Sequence, residues 1–137
     1  MIARLSALTM LASVLAVSAV ADLSPVEPQV LTPPSGQPVE FYETIMDQPA
    51  MGLTARFRFL APQLSHYIDS LSYEELEADL SYLCDSYALP RLSTPEPAMI
   101  VISLTEAPVE FGAPAPDMAQ VFEAYHPEDG SCEWEAF

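Results

Sequence analysis

The sequence predicts an α+β fold: a single small domain with a mostly antiparallel sheet and two helices, ordered roughly β-β-α-β-α-β, and one disulfide. Three observations carry that expectation. Two segments near residue 40 and residue 56 alternate apolar and polar side chains with period two. A segment after residue 70 opens with helix-start chemistry and continues at helical spacing. The two cysteines, Cys84 and Cys132, form an even and widely separated pair.

The chain begins "MIARLSALTMLASVLAVSAVADLSP". Arg4 precedes an apolar run over residues 5–20, and Ala19-Val20-Ala21 supplies the small-x-small pattern of a cleavage site. Residues 1–21 therefore read as a signal peptide cut between Ala21 and Asp22. The run is shorter than the roughly 20 apolar residues a membrane span needs, and four hydroxyl residues interrupt it. The expected location is the periplasm or the medium beyond it. That compartment is oxidising, which favours Cys84 and Cys132 as a structural bridge. A redox pair would show C-x-x-C spacing, which is absent.

Loss of Arg4 would leave Arg56, Arg58 and Arg91 against 20 acids, a net charge of −17 with no lysine. Nucleic acid and anionic membrane surfaces are bound through lysine and arginine, so both are excluded as partners. The acidity keeps such a chain soluble and favours a basic protein partner or a cationic ligand, the plainer reading being a solvated surface suited to a salty, screened medium.

Residues 22–38 hold five prolines and little periodicity, which predicts a disordered leader. The α+β domain is then 39–137. "VEFYETI" and "LTARFRFL" read as a hairpin around "MDQPAMG". With Ile45 opposite Leu53, Arg58 would face Glu40 and Arg56 would face Tyr42, both arginines pointing to solvent. "APQLSHYIDS" reads as irregular chain.

In "LSYEELEADLSYLCDSYALP", Ser72 and Glu75 make a capping box, with Leu71 and Leu76 at the staple positions. Tyr73, Leu76, Leu80, Leu83, Cys84 and Tyr87 form one apolar stripe, while Glu74, Glu75, Glu77 and Asp79 read as a solvated acidic face. Pro90 stops the helix. "AMIVISL" is a continuous β-branched run, the signature of a strand covered on both faces. "PVEFG" could add a short strand. "PDMAQVFEAYHP" places Met118, Val121, Phe122 and Tyr125 at helical spacing and predicts the second helix. "PEDG" is a turn, and "SCEWEAF" a final strand with Cys132, Trp134 and Ala136 inward.

Little chemistry stands out. No G-x-S-x-G elbow is present, and the only histidines are His66 and His126. Placed at a helix C-terminus, His126 would be there for the dipole. Glu74 with Glu77, and Glu75 with Asp79, share helix faces but lack the Glu-x-x-His pattern of carboxylate metal sites. Neither a metal nor a cofactor is expected. Paired carboxylates for glycoside hydrolysis are unspecific in a chain with 20 acids. The one constellation worth singling out is Arg56 with Arg58, two guanidinium groups on one strand face that could grip a carboxylate, a phosphate or a peptide terminus. Pairing with Glu40 and neighbouring acids is the plainer reading.

The blocks "PSGQPVEFYETIMDQPAMGLTARFRFLAP", "LCDSYALPRL", "IVISL…PVEFG" and "FEAYHPEDGSCEWEAF" resemble a family of small exported bacterial proteins of unknown function. Some members carry an acetolactate synthase label, which the residues here do not support. Such thiamine-diphosphate enzymes are several times longer and use Gly-Asp-Gly with a downstream asparagine. Here the nearest match is Glu128-Asp129-Gly130, close to the end of the chain. The leading functional expectation is a non-enzymatic envelope protein acting by binding. A small periplasmic hydrolase using carboxylates and a histidine, and a structural subunit of an envelope assembly, are the alternatives.

Overall fold

The structure is a computed structural model that describes residues 29–49 and 52–136. The expected signal peptide, its Ala21/Asp22 cleavage site and the start of the leader lie outside the described residues. Six strands form one sheet: β1 (Val30–Leu31), β2 (Val39–Asp47), β3 (Thr54–Leu60), β4 (Met99–Thr105), β5 (Gln120–Glu128) and β6 (Ser131–Trp134). Their spatial order equals their chain order, and every neighbouring pair is antiparallel except β3–β4. Parallel neighbours need a long crossover. Here it carries two helices, α1 (Leu64–Ser70) and α2 (Tyr73–Leu83).

The period-two pattern decides which side chains meet the helices. Ala55, Phe57 and Phe59 of β3, and Ile100, Ile102 and Leu104 of β4, pack with Leu80, Leu83, Cys84 and Tyr87 in one core. α2 has the expected capping box: Ser72 Oγ accepts from Glu75 N, and Glu75 Oε1 accepts from Ser72 N. It widens into a five-residue π segment (Cys84–Ala88) and then ends in a 3₁₀ turn (Leu89–Arg91). Cys84 is bonded to Cys132 on β6, as the even cysteine count implied. β5 and β6 join through Asp129 (φ 49°) and Gly130 (φ 81°). Both turn residues are left-handed, as a two-residue hairpin of matching twist requires.

Several expectations need correction. The strand and helix order is not β-β-α-β-α-β. Residues expected to form the second helix are strand β5, and the second helix is instead α1, in the stretch read as irregular. Residues 120–126 carry apolar side chains on both faces, since Phe122 is 63% exposed while Tyr125 is buried against the helices. A strand apolar on both sides satisfies helical spacing by coincidence. α1 has no side-chain cap of its own at Gln63. Its first turn is held by Glu106, whose Oε1 accepts from Ser65 N at 3.0 Å and from Ser65 Oγ, contacts that also lower the Glu106 carboxyl pKa. "PVEFG" forms no strand.

The leader is ordered where it is described. Val30–Leu31 pairs with β2. Beyond it, Asp79 is fully buried rather than part of a solvated acidic face. Its Oδ1 accepts from Ser35 N at 2.9 Å, and its Oδ2 accepts from Ser35 Oγ at 2.5 Å and Gln37 Nε2 at 2.7 Å. A buried carboxylate persists only with such partners. At the other end, Trp134 is 51% exposed rather than a core anchor, and Ala136 is exposed too. The indole Nε1 and the Tyr73 hydroxyl each donate to Glu123 at 2.8 Å, and that bond raises the Tyr73 pKa. The chain end is fastened by Cys132, not by the tryptophan.

Candidate functional site

The sheet face away from the helices is where Arg56 and Arg58 point. A bulge in β2 sets their partners, because the β2–β3 register steps from Phe41↔Phe59 to Glu43↔Arg58 and leaves Tyr42 unpaired. That extra residue turns Glu43, Ile45 and Asp47 onto the arginine face. Arg58 therefore lies opposite Glu43 rather than Glu40, and Arg56 opposite Ile45 rather than Tyr42. Arg58 Nη1 donates to Glu43 Oε1, and Arg56 Nε donates to Asp47 Oδ2 at 3.3 Å.

The register across β4 and β5 continues the same face: Arg56↔Val101, Arg58↔Ser103, then Ser103↔Phe122 and Thr105↔Gln120. The 106–119 connection returns over these residues. Val109 O accepts from Arg58 Nη2, and the Phe111 ring lies 5.4 Å from Arg56 Cζ and 5.9 Å from Arg58 Cζ. Tyr42 closes the other side of Arg58, its ring centroid 5.4 Å away. Arg58 is thus only 8% exposed, which corrects the expectation that both arginines point to solvent. Aromatic faces attract a guanidinium, so burial here leaves it satisfied.

Between sheet and connection lies a cavity of about 320 Å³. Its polar lining is Ser103 and Thr105, with the exposed Gln120 at the rim, beside the two arginines, and its apolar lining includes Phe111 and Phe122. Phe111 and Phe122 are both exposed. No hydrogen bond from the Ser103, Thr105 or Gln120 side chains reaches another described residue, although Thr105 is 5% exposed. Unpartnered polar groups lining a partly apolar cavity are the usual makings of a ligand site.

The structure brings the two singled-out arginines into this cavity and adds five residues that the sequence did not mark. Ser103 and Thr105 were legible in principle, since they alternate with Ile102 and Leu104 and so share the face opposite the core. Phe122 was hidden by the helical reading of β5.

The histidines stand elsewhere. His66 is exposed on α1, and His126 lies on β5 opposite Glu133. His126 Nδ1 lies 2.5 Å from Glu135 Oε2, and Nε2 lies 3.0 Å from Glu128 Oε2. Hydrogen bonding to Glu128, then to Glu135, raises the His126 pKa above its ordinary value of 6.5. A raised folded-state pKa gives stability that is fully present below the unfolded value and is lost as pH climbs through the folded one. Proton NMR of the His126 ring should accordingly give a midpoint above 6.5, and Glu128→Gln should lower it. A midpoint at or below 6.5 would contradict this geometry. Among the described residues, no three His, Cys, Asp or Glu side chains gather as metal ligands would.

Comparison with curated proteins and with solved structures finds no match to this chain. A family model does match it over residues 11–137, nearly the whole sequence, and the chain belongs to that family of unknown function (DUF6497).

Proposed function

We propose that this protein is an exported binding module, non-enzymatic, whose ligand site is the cavity on the outer sheet face. The observation that carries the reading is the cavity lining, where Ser103, Thr105 and Gln120 lie unpartnered beside Arg56 and two exposed phenylalanines. Polar groups so placed are open to the cavity and free to hydrogen-bond a ligand. Export is supported by the leader pattern and by the disulfide, which suits an oxidising compartment. The acidic remainder of the surface suits a basic partner through long-range attraction, a property separate from the cavity. The hydrolase alternative would need His66 or His126 at the cavity, and neither lines it: His66 is exposed on α1, and His126 has both ring nitrogens engaged by carboxylates. Neither of those nitrogens is left to take a proton from a nucleophile.

A fragment screen followed by amide NMR of the mature chain tests the binding reading. Hits should move the resonances of Ser103, Thr105 and Phe111, and Ser103→Phe, which fills the cavity, should abolish those shifts. Shifts confined to other surfaces would refute the assignment. Export is tested in the same preparation: mass measurement should place the N-terminus at Asp22, and an uncut Met1 would remove that half of the proposal.

A further inference from the structure

The geometry points to a ligand class for this cavity: an aromatic monocarboxylate bearing a ring hydroxyl, an inference that rests on the binding reading above. Arg58 is a strut rather than a free donor. Its Nη1 and Nη2 are taken by Glu43 and the Val109 carbonyl, and it is buried. Arg56 differs. Only its Nε is engaged, by Asp47, and its Nη1 and Nη2 have no partner among the described residues. A guanidinium with both terminal nitrogens free presents two parallel N–H groups, the fork that matches a carboxylate.

The anionic group follows from the free Arg56 fork, and its size from the neighbours. Glu43 and Asp47 already pair with the arginines, and Glu110 also lines the cavity. With two cations beside three acids the surroundings hold no surplus positive charge, so each negative charge on a ligand is disfavoured and a phosphate dianion doubly so. A single carboxylate adds the least charge and is matched by the paired N–H groups of Arg56. The body of the ligand is set by Phe111 and Phe122, aromatic rings exposed in the cavity lining. A flat ring placed against them removes apolar surface from water on both sides and can pack in offset or edge-on geometry.

The ring hydroxyl follows from the register. Arg56 stands opposite Val101, and Ser103 lies two residues farther along the neighbouring strand β4, roughly 8 Å from the Arg56 backbone when strand rise and strand spacing are combined. That is about the length of one six-membered ring with a substituent at each end. A carboxylate on Arg56, with the ring directed along β4, sets the far substituent toward the unpartnered Ser103 hydroxyl, which can both donate and accept.

Titration of the mature protein with 4-hydroxybenzoate, benzoate, 4-hydroxybenzamide and inorganic phosphate, followed by amide NMR, tests this. We expect saturable shifts at Ser103, Phe111 and Phe122 with 4-hydroxybenzoate, and several-fold weaker binding of benzoate. Arg56→Gln should weaken 4-hydroxybenzoate at least tenfold, and Arg56→Lys, which keeps the charge but loses the fork, should fall between. Melting curves of both variants read folding separately, and Phe111→Ala gives an independent loss of affinity. Equal binding of the neutral amide, or tighter binding of phosphate at these residues, would overturn the ligand class while leaving the cavity a binding site. Silence from all four probes together with an empty fragment screen would overturn the binding reading itself.

Discussion

Breaking the Cys84–Cys132 bridge is expected to lower the unfolding free energy by about 4 kcal/mol, the chain-entropy value for a loop of this length. The two residues are 48 apart in sequence, so the bridge removes a large loop's worth of freedom from the unfolded chain. Its loss falls on a total of about 5–15 kcal/mol for a domain of ordinary stability. The effect also has a place. β6 is a four-residue edge strand held by its ladder to β5, by the bridge, and by the Cys132 N–H donating to Asp85 Oδ1 at 2.8 Å. Urea denaturation of the Cys84→Ala/Cys132→Ala variant measures the loss, and amide exchange over residues 131–134 should rise first. Coincident denaturation midpoints for oxidised and reduced protein would refute the prediction.

Replacing Asp79 by alanine is expected to cost about 3 kcal/mol, because hydrogen bonds to a buried charged group are strong and their loss strands the donors. Ser35 N, Ser35 Oγ and Gln37 Nε2 all converge on this carboxylate. The fully buried Gln37 already has one carbonyl oxygen, Oε1, without a partner. Without Asp79 its amide would be orphaned at both ends. Asp79→Asn keeps an acceptor and should cost less. Chemical denaturation gives the magnitude, and limited proteolysis between residues 29 and 38 gives the location. A loss below about 1 kcal/mol, with the 29–38 segment still protected, would show that Asp79 is not what pins this stretch.

How much was legible depended on where each element's determinants sit along the chain. α2 declares itself because its cap, staple and stripe lie within one short stretch, and the paired cysteines were readable from count and compartment. α1 was not readable, since the group that caps its first turn, Glu106, lies 41 residues away. β5 was misread because Phe122 and Ala124 are apolar on the face away from the helices, so the strand lacks the polar alternation that would have marked it. The arginine pair was visible as chemistry, yet its partners were not. The bulge at Tyr42 moves Glu43 and Asp47 into reach, and nothing local announces a bulge. The same holds for Arg58, whose burial comes from the 106–119 connection folding back over the sheet. Short-range periodicity thus located β2, β3, β4 and β6, while the site arises from register and long-range closure that periodicity does not encode.

The parallel join between β3 and β4 has one further result. Each of the other adjacent strand pairs can zip up soon after synthesis, but β3 must wait for the whole crossover before its second neighbour arrives. Until then its open edge displays Phe57 and Phe59, a template on which another chain could add. Arg56 and Arg58 alternate with those two rings and act as gatekeepers, their charges making stacking of like strands repulsive. The residues that line the cavity in the finished protein are thus also the charges placed to oppose strand addition in the unfinished one.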